Sequence, residues 1–164
     1  MVELFLCVQL GYRVKIRCTM FFFLLSMKSI GFDIENVPFM CDRGHLLAAV
    51  RFLQPNTQLV ISVKFCLEHI IRNINNRFGL NKDNAAKMRI IMNRLQSAST
   101  YEKYMIEIAD IMDLEEVMNY EIIIYIMKIH PRHWTVFGNR HDISDESWKG
   151  LYENYLLIML RLYL

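Results

Sequence analysis

Asp42 closes the short run Val37-Pro38-Phe39-Met40-Cys41, and Cys66 with His69 forms a Cys-x-x-His pair just past the next apolar run, Leu59 to Phe65. A carboxylate at the tip of a strand is rigidly placed, which is what a metal-binding acid requires. Cys66 and His69 offer two of the four ligands of a tetrahedral zinc ion, and the His-x-x-His of His130 and His133 offers the other two. Each group also has a plainer reading. Asp42 stands before Gly44-His45-Leu46, where Asp is a favoured helix N-cap. Cys66 serves equally as a small buried hydrophobe, with His69 as a hydrogen-bonding neighbour. A second constellation is cationic: Arg72, Arg77, Lys82, Lys87, Arg89 and Arg94 are concentrated in one stretch. That fits phosphate contacts to DNA, and it fits the solvated face of amphipathic helices as well. Trp134, beside His133, suits a stacked base or a small core.

The elements that must position these residues follow from local pattern. Val2 to Leu10 and Arg13 to Cys18 read as two strands joined by a turn at Gly11-Tyr12. Thr19 to Ile30, with Phe22, Phe23, Leu25, Met27 and Ile30 apolar, reads as a helix stopped by Gly31. Asn36 to Met40 is a buried strand with Asp42 at its C-terminal tip; Gly44 to Leu53 is a helix ended by Pro55; Leu59 to Phe65 is a second strand. A strand, helix, strand crossover of this kind is parallel, and ligands in open α/β sheets bind beyond the carboxyl ends of the strands. From His69 to about Ile129 the apolar period becomes helical, through Ile70, Ile71 and Ile74, then Ala85, Met88, Ile91, Met92 and Leu95, then Tyr101, Tyr104, Met105, Ile108, Ile111 and Met112. Three or four consecutive helices result, with Asp83 or Asn84 and Ser99 or Thr100 as N-caps. Asp145 to Leu164 forms a last amphipathic helix through Trp148, Leu151, Tyr152, Tyr155, Met159 and Leu162.

Composition bounds the function classes. A chain of 164 residues, 54% hydrophobic and 22% charged, is enough for a domain that buries about 70% of its unfolded surface. The formal charge of +2 is too small to mark nucleic-acid binding by itself, so any such footprint must be local. Cys7, Cys18, Cys41 and Cys66 have no regular spacing, which argues against a disulfide framework and for a reducing compartment. The longest apolar run, Met20 to Leu25, is far short of a membrane span, so the chain reads as soluble with no membrane partner.

Taken in order, Phe39-Met40-Cys41-Asp42-Arg43-Gly44, Phe65-Cys66-Leu67-Glu68-His69-Ile70-Ile71-Arg72-Asn73, Arg77-Phe78-Gly79, Ala98-Ser99-Thr100 and Pro131-Arg132-His133-Trp134-Thr135 resemble the Mutator-like (MULE) transposases over about two-thirds of the chain, Ser29 to Gly138. The resemblance implies an α/β remnant of an RNase H-like core over residues 1–68 and an all-α insertion over 69–137; the C-terminal amphipathic helix over 138–164 follows from the apolar pattern alone, and the chain is mainly helical overall. It makes Asp42 the second of three catalytic acids, and Cys66 and His69 the family's Cys-x-x-His signature. It further implies DNA as partner, a nuclear location, Mg2+ or Mn2+ as the ions of the ancestral strand cleavage and transfer, and a possible oligomer.

The chain departs from that pattern at the other two acids. Before Asp42 the carboxylates are Glu3, at the very terminus, and Asp33 and Glu35, in the loop before the strand; after Gly138 Glu146 and Glu153 are the candidates. Two-metal phosphodiester chemistry needs carboxylates that hold two ions about 3.5–4 Å apart, and one acid cannot do so. The expectation is therefore a truncated transposase fragment, inactive alone, that binds DNA through the cations from Arg72 to Arg94. The rival from another class is a small helical interaction module with no nucleic-acid role.

Overall fold

The computed structural model describes Thr19 and residues 22–41, 45–57, 60–114, 119–141 and 143–163. The described residues are mainly helical, with one small parallel sheet. The chain divides into two compact units, Met1–Phe65 and Cys66–Leu164. The strands expected over Val2 to Leu10 and Arg13 to Cys18 lie outside the described residues.

In the first unit, a helix over residues 22–29 (α1) precedes β1 (Phe39–Cys41), α2 (His45–Thr57) and β2 (Val63–Phe65). Gly31 ends α1 at φ 84°, where the Phe32 amide donates to the Met27 carbonyl and the Gly31 amide to Lys28, both at 3.0 Å. This is the Schellman closure that only a residue free of Cβ crowding adopts cheaply. The face that α1 buries is not the one its phenylalanines suggest: Leu24 is wholly buried, whereas Phe22 and Phe23 are 40% and 47% exposed. The strands pair in parallel, Phe39 with Val63, Met40 with Lys64 and Cys41 with Phe65, as a crossover through α2 requires. Both strands are shorter than their apolar runs, and α2 runs past Pro55 to Thr57. A proline in a helix loses one hydrogen bond and crowds the carbonyl four residues back, and with Pro55 two residues from the end at Thr57 that cost falls on the last turn alone.

The second unit is helical: α3 (Leu67–Phe78), α4 (Lys82–Ser97), α5 (Tyr101–Ala109) continuing into a 3-10 turn at Asp110–Asp113, α6 (Asn119–Met127), a 3-10 turn at Pro131–His133, α7 (Val136–Arg140) and α8 (Asp145–Tyr163). α4 packs between α3 and α5. Leu67, Ile70, Ile71 and Ile74 form the buried stripe of α3, and Met88, Ile91, Met92 and Leu95 that of α4, the spacing a helix period demands. Gly79, at φ 62°, ends α3 with its amide on the Asn75 carbonyl. The cap of α4 is Asn81, whose side chain accepts from the Asn84 amide at 2.8 Å, rather than Asp83 or Asn84. Asn84 is already inside the helix and buried, and Asp83 sits in the first turn, where its charge suits the positive helix end. Thr100 caps α5, accepting from Lys103.

Tyr104, fully buried, is the hub of an aromatic core. Its ring lies 6.2 Å from Trp134, 5.9 Å from Phe137 and 5.8 Å from Trp148. Trp134 is therefore a core residue, with its ring closed off from solvent. The Pro131 carbonyl accepts from the amides of Trp134 and Thr135 and from the Thr135 hydroxyl. Gly138 rests directly on this turn: a Cβ there would lie 2.2 Å from the Pro131 carbonyl carbon. Trp148 ties the first turn of α8 in by donating from its indole nitrogen to the Met127 carbonyl at 2.8 Å.

Candidate nucleic-acid interface

All six cations of the basic stretch are exposed: Arg72 and Arg77 on α3, Lys82, Lys87, Arg89 and Arg94 on α4. They do not form one row. On α4 the buried stripe separates them, Lys82 and Arg89 flanking one side and Lys87 and Arg94 the other, each pair seven residues apart. The side carrying Arg89 meets α3, where Arg89 binds Glu68 directly. That hydrogen bond, helped by the charges of Arg89 and Arg72, holds the Glu68 carboxyl below its usual range. The side carrying Arg94 faces α5 and the turn after it, with its guanidinium 3.7 Å from Glu107 and 3.6 Å from Asp110. Burial pushes the Glu107 carboxyl upward, with Asp110 adding to that and Arg94 opposing it. A shallow cleft of about 360 Å³ lies here, lined by Arg94, Ser97, Ala98, Lys103, Ile106 and Glu107. Its mixed charge leaves Arg94 engaged with carboxylates.

The remaining cations have other surroundings. Lys82 and Lys87 form no ion pair among the described residues. Arg77 has no carboxylate against it among the described residues; its guanidinium carbon sits 5.6 Å from the centre of the Phe78 ring and 5.4 Å from that of Tyr125. The two rings meet edge to face at 5.9 Å. Neither the aromatic pair nor the carboxylate partners of Arg89 and Arg94 was read from the sequence. Glu68 and Arg89 could have been found by folding α3 back on α4, but Tyr125 enters from α6, beyond any local pattern.

Asp42 lies outside the described residues, in the first unit. Of the other carboxylates weighed as acids, Asp33 is engaged locally, accepting from the Asn36 amide at 3.2 Å and its side-chain amide at 2.8 Å, bonds that hold its carboxyl below the usual range. Glu35 pairs with Lys28 at 3.1 Å, Glu153 with Lys149 at 3.8 Å, and Glu146 is exposed in the first turn of α8. Cys66 is the half-buried N-cap of α3, without a side-chain capping bond, and His69 follows one turn on with Nδ1 buried. The structure does not bring Cys66, His69, His130 and His133 together as a zinc tetrahedron. Among the described residues no three His, Cys, Asp or Glu side chains converge as a metal site. His130 is committed elsewhere, its Nδ1 accepting from the Arg132 amide at 3.2 Å, with the His133 ring 6.2 Å away. Asp145 binds Arg132 and lies 3.7 Å from His130 Nε2, which fixes the start of α8.

No helix among the described residues is long and apolar enough to cross a membrane. Compared with protein families, curated proteins and solved structures, the chain finds no match.

Proposed function

We propose that the chain is a fragment of a transposon-derived MULE-type transposase, catalytically inactive by itself, which retains DNA binding through α3 and α4. The observation that carries the reading is the exposure of all six cations on two adjoining helices directly after the Cys-x-x-His segment. The parallel β1-α2-β2 unit is also the kind of scaffold that the RNase H-like remnant needs. Mg2+ or Mn2+ belongs to the ancestral reaction. The reading gives this chain one of the three acids, Asp42; of the other candidates Asp33, Glu35 and Glu153 are each engaged with a neighbour and Glu146 is exposed in the first turn of α8. No cleavage step is assigned to this chain, and a nuclear location is part of the same proposal.

Binding of a labelled duplex tests the reading. Affinity falls steeply between about 50 and about 200 mM salt, and replacing Lys82 and Lys87 together with alanine lowers the slope of log affinity against log salt by about two. Replacing Arg89 and Arg94 lowers it less, because both are held by carboxylates. Salt-indifferent binding, or none by a folded monodisperse chain, defeats the proposal.

One observation favours the rival reading of a helical interaction module: α8 exposes Leu151 at 36% and Leu157 at 54% while its first turn is anchored by Trp148. In that case a protein partner binds through α8 and salt has little effect.

A further inference from the structure

Arg77 differs from its five neighbours in being set on aromatic rings. A guanidinium is flat, and each of its faces can stack. With the Phe78 and Tyr125 rings both beside its guanidinium and the residue exposed, Arg77 combines aromatic neighbours with access to solvent. The rings fix the side chain before any ligand arrives, which lowers the rotamer entropy lost on contact. Gly79, Leu80 and Asn81 then carry the chain round to Lys82, so a second cation stands at the start of the next helix. A stacking plane beside backbone-binding cations is the combination that takes unpaired bases, since every base has a face to stack and duplex bases do not offer theirs.

We infer that Arg77, held by Phe78 and Tyr125, is a stacking platform for an unpaired base, and that this end of the α3–α4 hairpin binds single-stranded DNA. The inference deepens the nucleic-acid reading above and rests on it.

Fluorescence anisotropy with two labelled strands of about 20 nucleotides, one of thymidines and one with abasic sites in the same phosphate backbone, separates the two claims. The wild-type chain binds the thymidine strand on the order of tenfold more tightly, the effect of about one stacked base. Arg77→Lys keeps the charge but loses the plane, and brings the ratio of the two affinities close to one. Tyr125→Leu, which removes one of the two rings, lowers the ratio in part; a thermal melt of each variant checks that it is folded. A wild-type ratio of one, or a ratio that neither folded variant changes, overturns the platform while leaving phosphate binding intact. If the folded wild-type chain binds neither strand nor duplex, the nucleic-acid reading fails and the platform with it.

Discussion

The described residues of the two units differ in how their large apolar side chains are placed. In the second, Ile70, Ile74, Met92, Leu95 and Ile108 are at 0% exposure, and Ile90, Ile106, Leu151 and Leu157 are its exposed large hydrophobics among the described residues. In the first, Leu24, Ile34, Val50, Val63 and Phe65 are buried, but Phe22, Phe23, Ile30, Phe32, Val37, Met40 and Val60 are exposed, Ile30 at 77%. The second unit has several helices, each offering a stripe to the others; the described part of the first has two helices and a sheet of two three-residue strands. Parallel strands are stable when covered on both faces and joined by further strands. Among the described residues, the apolar pattern is closed over where each helix has another helix against its stripe.

The sharpest way to break this comparison is to truncate one side chain from each unit. Ile108→Ala destabilises the protein by about 2–5 kcal/mol, since the site is closed on all sides and cannot collapse fully. Phe23→Ala, at a half-exposed position, changes stability by no more than about 0.5 kcal/mol. Urea unfolding followed by circular dichroism reads both; equal losses would show that the exposed phenylalanine is part of a core after all.

A somewhat smaller loss is expected from Gly138→Ala. The added methyl meets backbone atoms of Pro131 and Arg132 at 2.2 and 2.3 Å, and backbone cannot rotate out of the way as a side-chain tip can. About 1–3 kcal/mol of overpacking strain follows, visible as a lowered thermal midpoint. Gly150→Ala, with nothing within 4 Å, is the matched control, and an exposed helical site there gains from the change.

The smallest effect concerns acid. Burial chiefly, with the Arg132 charge adding, lowers the pKa of His130 from its ordinary 6.5, against smaller opposing contributions from Ser144, Asp145 and Ile143. Geometry gives the same direction, because Nδ1 is occupied as an acceptor from the Arg132 amide and protonating it would set donor against donor. The unfolded chain therefore binds this proton more readily than the folded one. Stability from this group is intact above the unfolded pKa and falls as the pH drops through and below about 6.5. A wild-type midpoint that declines between about pH 7.5 and about pH 5.5, with a shallower decline in His130→Asn, is the expected result; parallel declines would remove His130 from the account.

How much of this was legible in the sequence depended on whether the determining contact was local. The stripes of α3 and α4, the stop at Gly31, the cap at Thr100 and the parallel crossover all follow from residues within a few turns of each other. On α1 an apolar count picks out Phe22, Phe23, Leu25, Met27 and Ile30, whereas the buried residue among those described there is Leu24, because a count weighs side-chain type and not direction. Matching ligand types joins Cys66 and His69 to His130 and His133 in sequence without saying where the helices carry them, and among the described residues no three such side chains converge. The cation set was readable as a set, but its sorting into carboxylate-held, ring-held and remaining members depends on Glu107, Asp110 and Tyr125, which arrive from other helices.

The bond from the Trp148 indole to the Met127 carbonyl has a spectroscopic consequence. Trp148 and Trp134 are the only tryptophans of the chain, and both are buried against Tyr104 in the same cluster. The entire indole emission of the protein thus reports on a single place, the seam where α5, α6 and the start of α8 meet. Loss of the α8 anchor shifts that emission to the red while the helical signal, averaged over the rest of the chain, changes little.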